Sequence, residues 1–466
     1  MFDIRPVPLF SYDTSSSKKR ARFVVISNLR CDSNDGDLDS DKEKFLLLLD
    51  RAVRRINRYI KPDFVLIYWH RFENDNKHTP QFHQIYESIR DIAAKLECLS
   101  LISPATQSLF ELLPPAYKRD IGEKAFDDVA ILDDRVTIKS SELSILLCDL
   151  AYNKECVFRV ECRPALNPNV PCVNYEDLVT PSICEPPFQF DLIEVEDNDI
   201  RFYRQTLAMP FELGLVDCHI HTQFGYCAEN MDAEKSLRLA REFGLAGVGL
   251  VEHSGQIYFD EKTFWEPAFL DEGINTKVGL RNRAPIFFST LASYRNEALI
   301  GMEIDCDYAG NPVIMPSDIA RCDIKLGAIH WLKEMMQVTP DYQAASEEFL
   351  FRLERFLSSG VIDVLAHPFR LFENWSEGVP DNVFKETIRL LAKYDVAAEL
   401  NFHRGDQDER FVFECLNAGV KLTLGSDSHN LSQIGDLYPH IELLKRCGIS
   451  DHMLSSVLAD CSIKDR

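Results

Sequence analysis

No window of this 466-residue chain approaches the roughly 18 consecutive apolar residues that a membrane-spanning helix needs, so no membrane anchor is expected. The opening stretch MFDIRPVPLFSYDTSSSKKRARF carries its basic cluster after a few apolar residues and lacks an apolar h-region, so no secretory signal is expected either. Cysteine is too sparse for a disulfide scaffold. There are 14, with no paired CxxC spacing, and several (Cys148, Cys306, Cys415) sit in apolar stretches where a free thiol behaves as a small hydrophobe. A cytoplasmic, reducing setting is the expectation. Basic residues are outnumbered, 51 Lys and Arg against 74 Asp and Glu, for a net charge of −23. That balance argues against long-range attraction to nucleic acid or an anionic membrane, although a local basic patch can act within an acidic protein. A glycine-rich phosphate loop is missing as well, which argues against nucleotide-driven group transfer.

What remains is a globular composition, 45% hydrophobic and 27% charged, in a chain long enough for two or three domains. Histidine is distributed unevenly. Of twelve, His70, His78 and His83 precede residue 200, and the other nine begin at His219. Six of those nine fall in a pattern that repeats through the C-terminal half: an apolar, strand-like stretch running into a residue that can bind a metal. The stretches are GLVDCHIHT (Asp217, His219, His221), AGVGLVEHS (His253), ALIGMEIDCD (Glu303), DIKLGAIHW (His330), VIDVLAHP (His367), VAAELNFH (Glu399) and VKLTLGSDSH (Asp427, His429). Strands that alternate with helices build a parallel barrel or sheet and bind ligands where the strands end. Seven such ends converge on one mouth, which predicts a multinuclear metal site. Residues i and i+2 of a strand share a face, so His219 and His221, and likewise Asp427 and His429, point together. Imidazole mixed with carboxylate suits Zn, Mn or Fe better than Ca.

The first half reads as a separate α/β domain over residues 1–209, with the second domain at 210–466. RFVVIS and KPDFVLIYW are strands, and KEKFLLLLDRAVRRINRYI and QFHQIYESIRDIAAKLE are helices by their apolar spacing. Strands around VTIKSS and CVFRVEC lack long helices between them, so the sheet should be mixed. FQFDLIEVEDNDIRFYRQTLAM supplies two closing strands. The opening strand, helix and "PDFVL" strand, with the closing PSICEPPFQFDLIEVED, resemble a calcineurin-like metallophosphoesterase. That family ends its first strand in Asp-x-His and its second in Gly-Asp. Here Asn28-Leu29-Arg30 and Trp69-His70-Arg71 stand instead, and no Gly-Asn-His-Asp motif occurs near SPATQS. The resemblance implies a domain that keeps the fold and has lost the metals, with His70 a surface or packing residue; an unrelated α/β domain is the alternative.

The second half resembles the PHP (polymerase and histidinol phosphatase) family, from about Leu213 onward. Its motifs run in order: Asp217-Cys218-His219-Ile220-His221, His253-Ser254, Gly301-Met302-Glu303, His330, Ala366-His367-Pro368, Glu399-Leu400-Asn401, and Ser426 to His429. The resemblance implies a distorted (β/α)7 barrel holding two or three divalent metal ions. One ion would take His219, His221, Glu303 and Asp427. A second would share Glu303 and add His330 and His367. A third would take His253, His429 and the residue six after the HxH pair, Cys227 here, where family members commonly have His. A Cys227 thiolate would favour zinc; Glu229 or water is the alternative at that position. Asp217 either binds metal or orients a ligand, and Glu399 and Asn401 either join the site or cap a loop.

Such metals clamp a phosphoryl group and hold a hydroxide between them, so the implied activity is hydrolysis of a phosphate ester of a small molecule, histidinol-phosphatase-like or a nucleotide. Arg370 and Arg404 are the candidate phosphate grips, against the plain reading of two surface arginines. The insertion from 255 to 288, aromatic-rich and carrying Arg281 and Arg283, is either a lid over the site or a packing element for the first domain. A nuclease acting on single-stranded ends is the alternative activity; the acidic charge opposes it, and KKRAR at 18–22 is the only dense basic run. A binding or scaffold protein is the third reading.

Overall fold

The computed structural model describes residues 20–26, 38–62, 64–69, 80–97, 99–104, 128–132, 135–139, 143–149, 157–164, 174–179, 183, 188–196 and 199–462, the last without 374, 376, 377 and 406. The chain divides into two compact units, Met1–Leu207 and Ala208–Arg466.

In the first unit a mixed sheet is built from β1 (Arg20–Ile26), β2 (Phe64–Trp69), β3 (Leu99–Pro104), β9 (Gln189–Glu196) and β10 (Asp199–Thr206). Its order is β10-β9-β1-β2-β3, parallel from β1 to β3 and antiparallel across β9. The strands bury Val24, Val25, Val65, Ile67 and Leu192. The helix α1 (Leu38–Arg55) buries Phe45, Leu48, Leu49 and Ala52, which recur at helical spacing and so form one apolar stripe. Arg51 and Arg55 are buried too, and each donates from its guanidinium to a carbonyl at the end of β10, those of Leu207 and Thr206. A second sheet, β4 (Asp128–Leu132), β5 (Arg135–Lys139), β6 (Leu143–Asp149), β7 (Val157–Pro164) and β8 (Asn174–Val179), is an antiparallel meander. Asn28, Leu29, Arg30, His70 and Arg71, and residues 105–108, on which the metallophosphoesterase resemblance turns, lie outside the described residues.

The second unit is a parallel seven-stranded barrel. β11 (Val216–Ile220), β12 (Gly247–Leu250), β13 (Ala298–Asp305), β14 (Ile324–Ala328), β15 (Val364–Leu365), β16 (Ala397–Asn401) and β17 (Leu422–Gly425) neighbour one another in chain order. Every pairing is parallel. The barrel nearly closes where Ile220 bridges Ser428 and the His221 amide donates to the Ser428 carbonyl at 3.0 Å. These are the seven apolar stretches of the sequence. A parallel strand is covered on both faces, so it reads as a continuous apolar run, and β12, β16 and β17 are buried at every position. Helices follow the strands, among them Ala233–Glu242, Tyr342–Ser358, Asp381–Tyr394, Glu409–Asn417 and Tyr438–Arg446. Three of them start at aspartates, Asp232, Asp341 and Asp408, whose side chains accept from first-turn amides.

Candidate metal centre

The strand ends bring the histidines and carboxylates together in one buried cluster. His219 and His221, two apart on β11 and just past it, are both fully buried with their Nε2 atoms 3.2 Å apart. Asp217, on the same strand, is committed elsewhere. It accepts from the amides of Ser426 (2.9 Å), Gly435 (3.0 Å) and His219 (3.3 Å), tying the first strand to the last. Burial pushes its carboxyl up to about 6, against the pull of those hydrogen bonds.

Glu303, at the end of β13, is the hub. One oxygen, Oε1, lies 2.7 Å from His367 Nε2 and 3.1 Å from His330 Nε2. The other, Oε2, lies 2.7 Å from His253 Nδ1, 3.4 Å from His219 Nε2 and 3.6 Å from His221 Nε2. One carboxylate therefore faces two groups of imidazoles from opposite oxygens. Asp427 stands beside them, its Oδ1 3.0 Å from His221 Nε2 and 3.5 Å from His219 Nε2. Arg370 Nη2 bonds to Asp427 Oδ2 and, at 3.0 Å, to Asn401 Oδ1. His367 and Asp427 both sit at positive φ, 30° and 53°, a backbone conformation costly for non-glycine residues and typical of functional sites.

Three further carboxylates aim the imidazoles. Glu399 Oε1 takes His219 Nδ1 at 2.8 Å, Glu252 Oε1 takes His221 Nδ1 at 3.1 Å, and Asp305 Oδ1 takes His330 Nδ1 at 2.8 Å. Each bond fixes the ring and leaves Nε2 as the inward donor, the arrangement that orients histidine ligands around metals. Glu399 thus joins the cluster, and its Oε2 also accepts from the His367 amide at 2.8 Å. The space around it is tight: a Cβ on Gly425 would lie 2.0 Å from Glu399 Oε1. Glu252 and Asp305 went unnoticed in the sequence. Asp305 was findable, because it is two residues beyond Glu303 and shares its face of β13.

His429, turned by Nδ1 to the Asp427 carbonyl at 2.8 Å, lies tilted against His221 with ring centroids 4.2 Å apart. Donor atoms of His221, His253 and His429 lie close enough to share an ion, as do those of His253, Glu303 and His330, and of His219, His221 and Glu303. Cys227 falls within such a group with Glu252 and His253, its thiol accepting from Gln256 Nε2 at 3.1 Å; burial raises that thiol. His403, which was not singled out in the sequence, forms another group with Asp427 and His429. Arg404 is exposed on the rim.

Above the cluster opens a cavity of about 520 Å³ lined by His253, His330, Arg370, His403, Arg404 and His429, with Phe264, Trp265 and Trp331 as an aromatic side. Phe264 and Trp265 come from the insertion after β12, so that segment does border the site.

Electrostatics tests whether cations fit. Glu252, Glu303, Asp305, Glu399 and Asp427 are each at most 1% exposed, and unpaired charge at such depth is costly. Burial alone would raise the Glu303 carboxyl, but His253, His330 and His219 around it hold it well below the carboxylate range. Asp427 is lowered likewise, burial being outweighed by Arg370 and His219. In return, burial is overridden at His219 by Glu399, Asp427 and Glu303, at His221 chiefly by Asp427 and Glu252, and at His330 by Glu303 and Asp305; His221 and His330 stand at about 9. His367 instead falls to about 4 through burial and the charge of Arg370. Protein alone balances these carboxylates only by loading imidazoles with protons. Among the buried atoms without a hydrogen bond are Glu303 Oε2 and His253 Nδ1, an ion pair 2.7 Å apart. Their donor atoms lie close enough, with that of His330, to share one ion. The donor set could therefore hold metal ions.

No protein-family model matches the chain, and no curated protein matches it. Among solved structures, it has faint likenesses to a β-glucuronidase of an uncultured Clostridium sp. (9% identity, 65% of this chain and 66% of that one, TM-score 0.21), and to the β-D-glucuronidase of Dictyoglomus thermophilum (10% identity, 64% and 53%, TM-score 0.15). A third is a pyruvate kinase of Cryptosporidium parvum (8% identity, 94% and 73%, TM-score 0.16). The chain thus spans 66% and 53% of the two glucuronidases' lengths. Likenesses this faint carry no argument about activity.

Proposed function

We propose that the barrel is a PHP-type, metal-dependent phosphoesterase that hydrolyses a phosphate ester of a small molecule with two or three divalent ions (Zn, Mn or Fe). The observation that carries the reading is the placement of Glu303, with one oxygen toward His330 and His367 and the other toward His219, His221 and His253. A carboxylate shared between two imidazole groups is what a multinuclear centre needs, and the motif order of the sequence gives the same ligands. Asp427 completes the first group, and His429, with Cys227 or His403, extends the third. When bound, such ions supply an activated water and positive charge against phosphoryl oxygens.

The chain's own residues do the rest. Arg370 holds Asp427 in place through Nη2 and lines the cavity, where its guanidinium can donate to a phosphoryl oxygen. Glu252, Glu399 and Asp305 keep the ligand rings from turning. Phe264, Trp265 and Trp331 wall off water on the side where the organic part of the ester sits. A volume of about 520 Å³ suits a small molecule.

The test is phosphate release from phosphomonoesters, nucleotides and single-stranded oligonucleotides by Mn- or Zn-loaded protein, with a chelated control. Chelator-sensitive turnover of the small esters is expected. Turnover confined to oligonucleotides would make the barrel a nuclease. Full metal loading with no turnover of any ester would contradict the phosphoesterase reading.

A further inference from the structure

The barrel's other end holds a pair of thiols that the metal centre does not use. Cys218 lies in β11 between Asp217 and His219, buried with Val251, Leu326, Ala328, Val364 and Ala366 inside the barrel. Cys461 packs against that same cluster from a segment far along the chain, which sets its thiol beside that of Cys218. The segment is seated by main-chain bonds: Leu458 bridges Leu422 in parallel, and the Ala459 amide donates to the Leu422 carbonyl at 2.8 Å. Past it, the chain turns where Ser462 donates to Asp460 from its amide and its hydroxyl, at 3.1 and 2.6 Å.

The two sulfurs differ in access. Cys218 is 1% exposed, whereas Cys461 is half-buried and lines a cavity of about 360 Å³ with Leu299, Val364 and Ala397. Leu299, Val364 and Ala397 lie at the starts of β13, β15 and β16. The cavity therefore opens at the end of the barrel remote from the metal cluster. A partly exposed, cavity-lining cysteine beside a buried one is the layout of an attacking and a resolving cysteine.

We propose that Cys218 and Cys461 form a redox-modification site, which a small-molecule disulfide converts into a disulfide latching residues 458–462 to the barrel floor. Cys461 attacks the incoming disulfide, forming a mixed disulfide and expelling one thiol. The Cys218 sulfur then displaces the second thiol. Two protein S–H bonds are lost and one S–S bond forms, while the small molecule leaves as two thiols carrying both protons and both electrons. The modification needs no metal and does not depend on the phosphoesterase reading. A disulfide of this kind in a reducing compartment is transient and responsive, not structural.

The experiment takes the full chain through a series of glutathione and glutathione-disulfide mixtures, followed by non-reducing digestion and mass spectrometry, with thermal unfolding in parallel. A peptide linking Cys218 to Cys461, two hydrogens lighter than its parts, is expected, with a rise in Tm of about 5 °C or more because the bond closes a very long loop. Both signals should vanish in Cys461→Ser and return to baseline on adding dithiothreitol. Cys461 is half-buried, so that variant should fold; Cys218→Ala, at a buried site, serves as the second check. Glutathione that stays on Cys461 without the cross-link, a link between other cysteines in place of this one, or an unchanged digest would each overturn the proposal.

Discussion

The two ends of the barrel are made by the same seven strands and differ in how their charges are settled. At the strand starts, each carboxylate has its own cation: Arg295 with the buried side chain of Asp323 at 2.6 Å and Lys325 with Asp363 at 2.8 Å. Beneath them the floor is apolar, closed by Leu299, Ala459 and Cys461. At the strand ends, five carboxylates are sealed from water and face imidazoles, and among the described residues Arg370 is the only lysine or arginine bonded to any of them. The starts obey the rule that a buried charge has its own counter-charge, and the ends break it. A fold tolerates such a breach where bound cations can settle the charge, and the His, Glu and Asp groups at these strand ends could hold metal ions.

That contrast can be broken most forcefully by removing a ligand. Asp427→Asn and His219→Ala should each abolish turnover, by about 10³-fold or more for loss of an ion that activates water, while circular dichroism and thermal unfolding show a folded barrel. Activity like the parent's in either variant would sink the mechanism. Removing an aiming carboxylate should do less: Glu252→Gln and Glu399→Gln should weaken metal binding about 10- to 100-fold, read by competition with a chromogenic chelator. Unchanged affinity in both would mean that these carboxylates do not orient ligands.

The protons make a subtler distinction. In the metal-free protein His221 and His330, pushed up to about 9, are charged at pH 7.5, and an imidazole must be neutral to bind a metal. Metal uptake should therefore release protons at pH 7.5, and the release should fade as the pH rises through 9, where the rings are already neutral. Calorimetry in buffers of different ionisation enthalpy measures this; zero release at pH 7.5 would contradict the assignment of these rings as ligands. The smallest effect belongs to the other end. Lys325→Gln removes a partly exposed ion pair, should change stability by about 1 kcal/mol or less, and should leave metal content untouched.

Much of the barrel was legible because buried parallel strands are uninterrupted apolar runs and each ended in a chemically distinctive residue. His219 with His221 followed from two-residue alternation, and the same rule applied to β13 would have added Asp305 to Glu303. Glu252 was hidden for a physical reason. Alternation sets it opposite His253, but β12 ends at Leu250, and beyond the strand the backbone turns both side chains inward. The aromatic side of the cavity and the meeting of Cys218 with Cys461 depend on contacts between distant segments, which no local pattern encodes. In the first unit, Asn28, Leu29, Arg30, His70 and Arg71, where the metallophosphoesterase-like motifs are replaced, lie outside the described residues.

The most direct measurement is the metal content of the purified protein, determined by elemental analysis after dialysis against metal-free buffer, beside His219→Ala and a sample stripped with chelator. The account predicts at least two divalent transition-metal ions per chain, fewer in the variant and none after stripping. Less than one ion per chain in protein refilled with Zn, Mn or Fe would contradict it, and would leave the buried carboxylates of the strand ends balanced by protons alone.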